Sequence, residues 1–162
     1  MKDTTSTEER GSEPGTPKEK AKIAAFLCRW CSYAGADLAG GSRRKYPPNI
    51  RIIRTPCSAR INPLFVWKCL EEGLDGVLVS GCHPGECHYT EGNYHTRRTF
   101  AVFRKLLEYI GIEPERFHMS WVSAAEGDKW AEVVKEVAKI VESVGPNRYF
   151  PKRNENDGRG TS

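Results

Sequence analysis

Two kinds of apolar pattern divide the chain. Short runs rich in apolar residues, Ile23-Ala24-Ala25-Phe26-Leu27, Ile50-Arg51-Ile52-Ile53-Arg54, Val77-Leu78-Val79 and Phe117 to Val122, are bounded by Gly, Pro or polar residues and predict four strands. Val77-Leu78-Val79 shows no polar alternation, the mark of a strand buried on both faces. Between these runs the spacing turns helical. Ser32 to Ala39 reads as a short helix of small residues ended by Gly40-Gly41. Asn62-Pro63 opens a second, with Asn as cap and Pro in the first turn, where its missing N–H costs nothing. That helix carries Phe65, Val66, Cys69 and Leu70 and stops at Gly73. Residues 95–109 form a third, with Phe100, Phe103, Leu106, Leu107 and Ile110 at helical spacing and Gly111 as its end. The clearest stripe is Trp130, Val133, Val134, Val137, Ile140, Val141 and Val144, in a helix predicted over 128–144 behind a capping-box pattern at Ser123 to Glu126.

Strand and helix thus alternate four times. The pattern predicts an α/β fold: a single four-stranded parallel sheet with flanking helices and right-handed crossovers. The expected order is 2-1-3-4, flavodoxin-like, with ligands at the carboxyl ends of the strands. A thioredoxin-like sheet is the alternative, but it needs an antiparallel hairpin that the pattern does not supply.

Composition trims this picture at both ends. Of 162 residues, 1–20 are rich in Glu, Thr, Pro and Lys and are expected to form a disordered tail; 146–162 read as a second, flexible one. Residues 21–145 remain as one domain. No apolar run is long enough to cross a membrane and no signal-peptide core precedes the first strand, so a cytoplasmic protein without a membrane partner is expected. The net charge of +4 is mild. Arg43-Arg44-Lys45 and Arg97-Arg98 lack interleaved aromatics and read as solvated surface, so no nucleic-acid partner is expected.

The six cysteines change the picture most. In a reducing compartment they point to metal or redox chemistry rather than disulfides. Cys28, Cys57 and Cys82 each close a predicted strand, and in the order 2-1-3 those strands are neighbours about 4.8 Å apart. Cys31 lies one helical turn beyond Cys28, and Cys87 sits on the Gly/Pro-rich loop after Cys82. Five thiols, Cys28, Cys31, Cys57, Cys82 and Cys87, are therefore expected in one crevice as metal or cofactor ligands. Cys69, in mid-helix, reads as a small buried hydrophobe. Four thiolates suit an iron–sulfur cluster or a closed zinc site, and spacing does not decide between them. A thiol–disulfide enzyme using Cys28 and Cys31 would leave the other three unexplained. His83 and His88 flank the loop cysteines as ligands, supporting donors or mere loop residues; a Rieske-type cluster would need two His on one iron. Trp30, Tyr33, Tyr89, Tyr94 and Trp121 are expected near the cluster edge, as a water shield or a docking face. No nucleophile elbow, phosphate-binding loop or dinucleotide fingerprint is present.

Several longer motifs have a family likeness. Cys28-Arg29-Trp30-Cys31-Ser32-Tyr33-Ala34-Gly35-Ala36-Asp37, Cys57-Ser58-Ala59-Arg60-Ile61-Asn62-Pro63, Gly81-Cys82-His83-Pro84-Gly85-Glu86-Cys87-His88-Tyr89, Glu91-Gly92-Asn93 and Trp121-Val122-Ser123-Ala124-Ala125-Glu126-Gly127 resemble the delta subunit family of methyl-viologen-reducing hydrogenase. The resemblance runs over about Ile23 to Gly145. It implies a 2Fe–2S cluster on cysteines drawn from the same five, with Cys69 outside the motifs. Cys31 or Cys87 is the first candidate for the spare thiol. It also implies an electron-transfer subunit, not catalytic alone, of the hydrogenase and heterodisulfide reductase assembly of methanogenic archaea and related anaerobes. Its partners would be a hydrogenase small subunit or formate dehydrogenase as donor and the flavin subunit of heterodisulfide reductase as acceptor. The competing readings are a zinc-stabilised structural adaptor and the thiol–disulfide oxidoreductase.

Overall fold

A computed structural model describes residues 20–150. The tail expected over 1–20, Lys20 apart, and the tail expected over 146–162, apart from 146–150, lie outside the described residues. The elements follow in the order β1 (Ile23–Cys28), α1 (Ser32–Gly41), β2 (Ile50–Thr55), α2 (Pro63–Glu71), β3 (Gly76–Gly81), α3 (Gly92–Tyr109), β4 (Phe117–Trp121) and α4 (Gly127–Val144). The four strands form one parallel sheet in the order β2-β1-β3-β4, as the alternation predicts. Among the described residues the only antiparallel bridge is an isolated one, Cys87 with Thr90, so a thioredoxin-like hairpin is absent there.

The sheet separates two cores. On one face Ala25 and Leu27 of β1 and Leu78 of β3 pack on Ala36 and Ala39 of α1 and on Trp130, Val134 and Val141 of α4. On the other, Phe26, Val77 and Val79 meet Val66 and Leu70 of α2 and Phe100, Phe103 and Leu107 of α3. Both central strands, β1 and β3, are buried along their whole length. Each large side chain in them contributes about 1.5–3 kcal/mol by leaving water.

Three element ends differ from expectation. α1 runs through Gly40 and Gly41 instead of stopping before them, because no neighbouring atom lies where a side chain there would go and the exposed turn closes on Ser42. α3 starts at Gly92, three residues before the apolar periodicity becomes visible. α4 starts at Gly127. Glu126 does turn back to accept the Ser123 N–H (2.7 Å), but as part of the preceding turn. The Asn62 cap forms as expected, accepting the Leu64 N–H at 2.9 Å. Of the predicted α3 stripe, Leu106 and Ile110 stay exposed, since α3 turns only one side to the sheet.

Candidate metal centre

The parallel sheet places three chain segments at one edge. β1 ends in Cys28, β3 leads directly into Cys82, and Cys57 follows the end of β2. The loop after β3 returns Cys87 to the same place. Cys28, Cys57, Cys82 and Cys87 form one buried cluster, with Cys31 half-buried against it. The five thiols expected to converge do so. Cys69 stands apart on α2, half-buried against the α2–α3 core.

Within the cluster the thiols interact with one another, Cys82 with both Cys28 and Cys31, and Cys57 with Cys87. The Cys82 thiol donates to the Cys28 sulfur, and this hydrogen bond draws the Cys28 pKa down to about 6 against its burial; N–H groups of Trp30, Cys31 and Ser58 assist. Cys82, giving up its proton least readily, is pushed up, first by that bond and then by burial. Burial raises Cys57, while for Cys87 burial is outweighed by N–H groups of Tyr89, Asn93 and Gly92 and by the Cys57 thiol, so its net shift is downward. Burial also raises Cys31. Backbone N–H groups are thus aimed at Cys28 and Cys87, the two sulfurs whose pKa is lowered.

The surrounding residues shape this pocket closely. A Cβ on Gly92 would lie 2.6 Å from the Cys57 Sγ and 3.0 Å from the Cys87 Sγ, so the first turn of α3 reaches the sulfurs only without a side chain. Asn93, fully buried, donates through Nδ2 to the carbonyls of His83 (2.5 Å) and Cys82 (3.3 Å), tying the loop to α3. Its Oδ1 is buried without a partner. Behind the thiols runs a line of hydroxyls: Ser120 donates to Ser80 (2.9 Å), Ser80 to Ser32 (3.0 Å) and Ser32 to the Val122 carbonyl (3.4 Å). Thr96 joins Ser58 at 2.8 Å on the other side.

Neither loop histidine joins the thiols. The His83 Nε2 meets Glu126 at 2.7 Å, and the N–H of Ser123, then His83, hold the pKa of that carboxyl down to about 2. The His88 ring stacks on Trp30 with centroids 3.7 Å apart, and the Trp30 Nε1 donates to the Tyr89 hydroxyl at 3.3 Å. Trp30, Tyr89 and Tyr94 are exposed. His95 lies inside the first turn of α3, and His118 is in β4 with burial lowering its pKa.

Among the described residues no group of three His, Cys, Asp or Glu side chains already surrounds a single point as it would a bound ion. The donor set nevertheless fits an iron–sulfur cluster: four buried soft thiols, two of them with lowered pKa, fed by backbone N–H groups and closed over by a glycine. Sequence reasoning missed the parts played by Gly92 and Asn93 and the contact of Glu126 with His83. For Gly92 and Asn93 the only signal was their presence in the motifs of the resemblance, since neither close approach nor a carbonyl clamp has a spacing of its own.

The comparisons with known proteins cover the same residues. The family model described as methyl-viologen-reducing hydrogenase, delta subunit, matches 23–145. The iron-sulfur subunit of the F420-non-reducing hydrogenase of Archaeoglobus profundus is 46% identical over 127 residues, covering 78% of this chain and 93% of the relative. The vhc iron-sulfur subunit of the F420-non-reducing hydrogenase of Methanococcus voltae is 47% identical over 125 residues, 77% of this chain and 87% of the relative. A subunit of the ferredoxin:CoB-CoM heterodisulfide reductase of Methanosarcina mazei is 51% identical over 124 residues, 76% of this chain. The chain spans only 16% of that longer protein's length.

Proposed function

The chain belongs to the family of the delta subunit of methyl-viologen-reducing hydrogenase, and on that premise we propose that it is an electron-transfer subunit carrying one 2Fe–2S cluster. The observation that carries this reading is the burial of Cys28, Cys57, Cys82 and Cys87 in one cluster at the carboxyl edge of the sheet, the four soft thiols that a two-iron cluster takes as ligands. Cys31, half-buried at the rim, is then the spare thiol, and Cys87 is not. The cluster supplies one-electron chemistry when bound.

The chain's own residues do the rest. Thiolate ligation releases the thiol protons, and Cys57 and Cys82, with raised pKa, give theirs up less readily than Cys28 and Cys87. The N–H groups directed at Cys28 and Cys87 stabilise negative charge on sulfur, which favours reduction of what the thiolates hold. Gly92 and the buried hydroxyls exclude bulk water on the inner side. Trp30, His88 and Tyr89 form the outer wall, a half-exposed aromatic face through which a partner is reached. The donor would be a hydrogenase small subunit or formate dehydrogenase, and the acceptor the flavin subunit of a heterodisulfide reductase. Relatives named as hydrogenase subunits support the first side, and one named as a reductase subunit supports the second. The compartment is proposed as the cytoplasm; none of the described helices is long and apolar enough to cross a membrane.

Anaerobic purification with iron, zinc, sulfide and visible-absorption analysis of one sample tests the reading. About two irons and two sulfides per chain with charge-transfer bands are expected. Zinc without sulfide or colour would replace the relay by a structural adaptor. The lowered Cys28 favours one second reading, thiol–disulfide exchange with Cys31. It predicts metal-free turnover of a disulfide substrate, abolished by Cys28→Ala and kept by Cys57→Ala.

A further inference from the structure

The sheet has two edge strands, β2 and β4, and β2 is the more exposed. Among the described residues β2 pairs only with β1. The Ile23 N–H donates to the Asn49 carbonyl (3.2 Å) and the Arg29 N–H to the Thr55 carbonyl (2.9 Å), so odd-numbered positions of this strand face β1. The backbone N–H and C=O groups of Ile50, Ile52 and Arg54 therefore point outward. Ile52 is 37% exposed and Ile53 42%. Ile52 lies opposite Ala25 and Ile53 opposite Phe26, so the two side chains carry the two core faces out to the edge. Beyond Phe26, the Phe65 ring stacks at 6.4 Å and is itself exposed. Nature usually blunts such an edge with charge, and here the charge has one sign. Every charged side chain from 38 to 70 is basic. Arg51 and Arg54 are on the strand, and Arg43 and Lys45 are on the loop before it.

We propose that the β2 edge is a strand-addition site for an acidic, apolar segment of a partner protein. Strand addition supplies main-chain hydrogen bonds, and side chains on both faces supply specificity. One face of β2 presents Arg51 and Ile53, the other Ile52 and Arg54. A complementary strand therefore places one acid and one branched apolar residue on each face. That demands acidic and apolar residues in alternating pairs rather than simple alternation. Two other occupants fit less well. A second copy would gather Arg51 and Arg54 of both chains into one ribbon with no acid between them. The segment 1–19 has acids, but Met1 is its only large apolar residue, so it cannot cover Ile52 and Ile53.

The test uses the full chain, purified anaerobically, and a fluorescent octapeptide of two Glu-Glu-Val-Val repeats. Fluorescence anisotropy reads binding, and hydrogen exchange reads protection of the amides in 49–55. The expected result is saturable binding that weakens about tenfold at high salt, is about tenfold tighter than for the Lys-Lys-Val-Val counterpart, and protects 49–55. Ile52→Pro removes one outward N–H and leaves the β1 ladder whole, so it should abolish binding. The Arg51→Glu, Arg54→Glu double variant should reverse the preference between the two peptides, and it serves as the reading should Ile52→Pro fail to fold. Equal affinity for both peptides, or binding without protection of 49–55, overturns the proposal. So does binding that survives Ile52→Pro in a folded chain. Protection of 49–55 without peptide that rises with protein concentration overturns it in favour of a second copy. Protection lost on removing 1–19 overturns it in favour of the chain's own tail.

Discussion

The two ends of the sheet handle buried polarity in opposite ways. At the amino end, Arg116 is 1% exposed, yet every polar reach of its guanidinium is met within the chain. It pairs with Glu113 at 2.8 Å and donates to the carbonyls of Asp75 (3.0 Å), Gly145 (3.0 Å) and Pro146 (3.2 Å). Asn147 adds bonds to the carbonyls of Leu70 (2.8 Å) and Leu74 (3.0 Å). At the carboxyl end, backbone N–H groups are aimed at thiols, two of which have lowered pKa, and the buried Asn93 Oδ1 has no partner. The first end is closed on itself. The second presents soft donors that a metal centre would engage. The same fold therefore holds a structural pole and a functional pole at opposite ends of the strands.

Four sets of substitutions probe that contrast. Cys28→Ser or Cys82→Ser should remove all bound iron while the chain stays folded, whereas Cys31→Ser and Cys69→Ser keep it; iron analysis with far-ultraviolet circular dichroism separates these outcomes. Loss of iron in Cys69→Ser alone would break the contrast. Arg116→Ala removes a buried side chain and leaves the part-exposed Glu113 and three carbonyls to water, and should cost about 1–3 kcal/mol in denaturant unfolding, with iron content per folded chain unchanged. Gly92→Ala drives a methyl against Cys57 and Cys87 and should cost about 1–3 kcal/mol, with a further drop in iron loading that Gly40→Ala does not share. Glu126→Gln is the mildest. Its carboxyl is about one-third exposed, so weakening the His83 contact should leave stability nearly unchanged and shift the redox midpoint only slightly in protein-film voltammetry.

Much of the functional pole was legible because it is written in strand ends. Cys28, Cys57 and Cys82 follow apolar runs, and parallel polarity brings such positions together without knowledge of any side-chain contact. The strand order followed from the same alternation. The structural pole was not legible. Arg116 draws on carbonyls 29 to 41 residues away in sequence, and main-chain acceptors carry no residue-type signal. The early start of α3 was hidden for a related reason. Gly92 and Asn93 serve the sulfurs and the loop carbonyls, not the apolar stripe, so helical periodicity begins only after them. The stack of Trp30 on His88 joins two loops whose approach depends on the thiols between them.

The most direct measurement is electron paramagnetic resonance of the anaerobically purified full chain after dithionite reduction, with spin quantified against chain concentration. The account expects a single S = 1/2 signal of about one spin per chain, retained in Cys31→Ser and lost in Cys57→Ser. A silent spectrum from a chain that holds zinc, or a signal that survives Cys57→Ser unchanged, would contradict it.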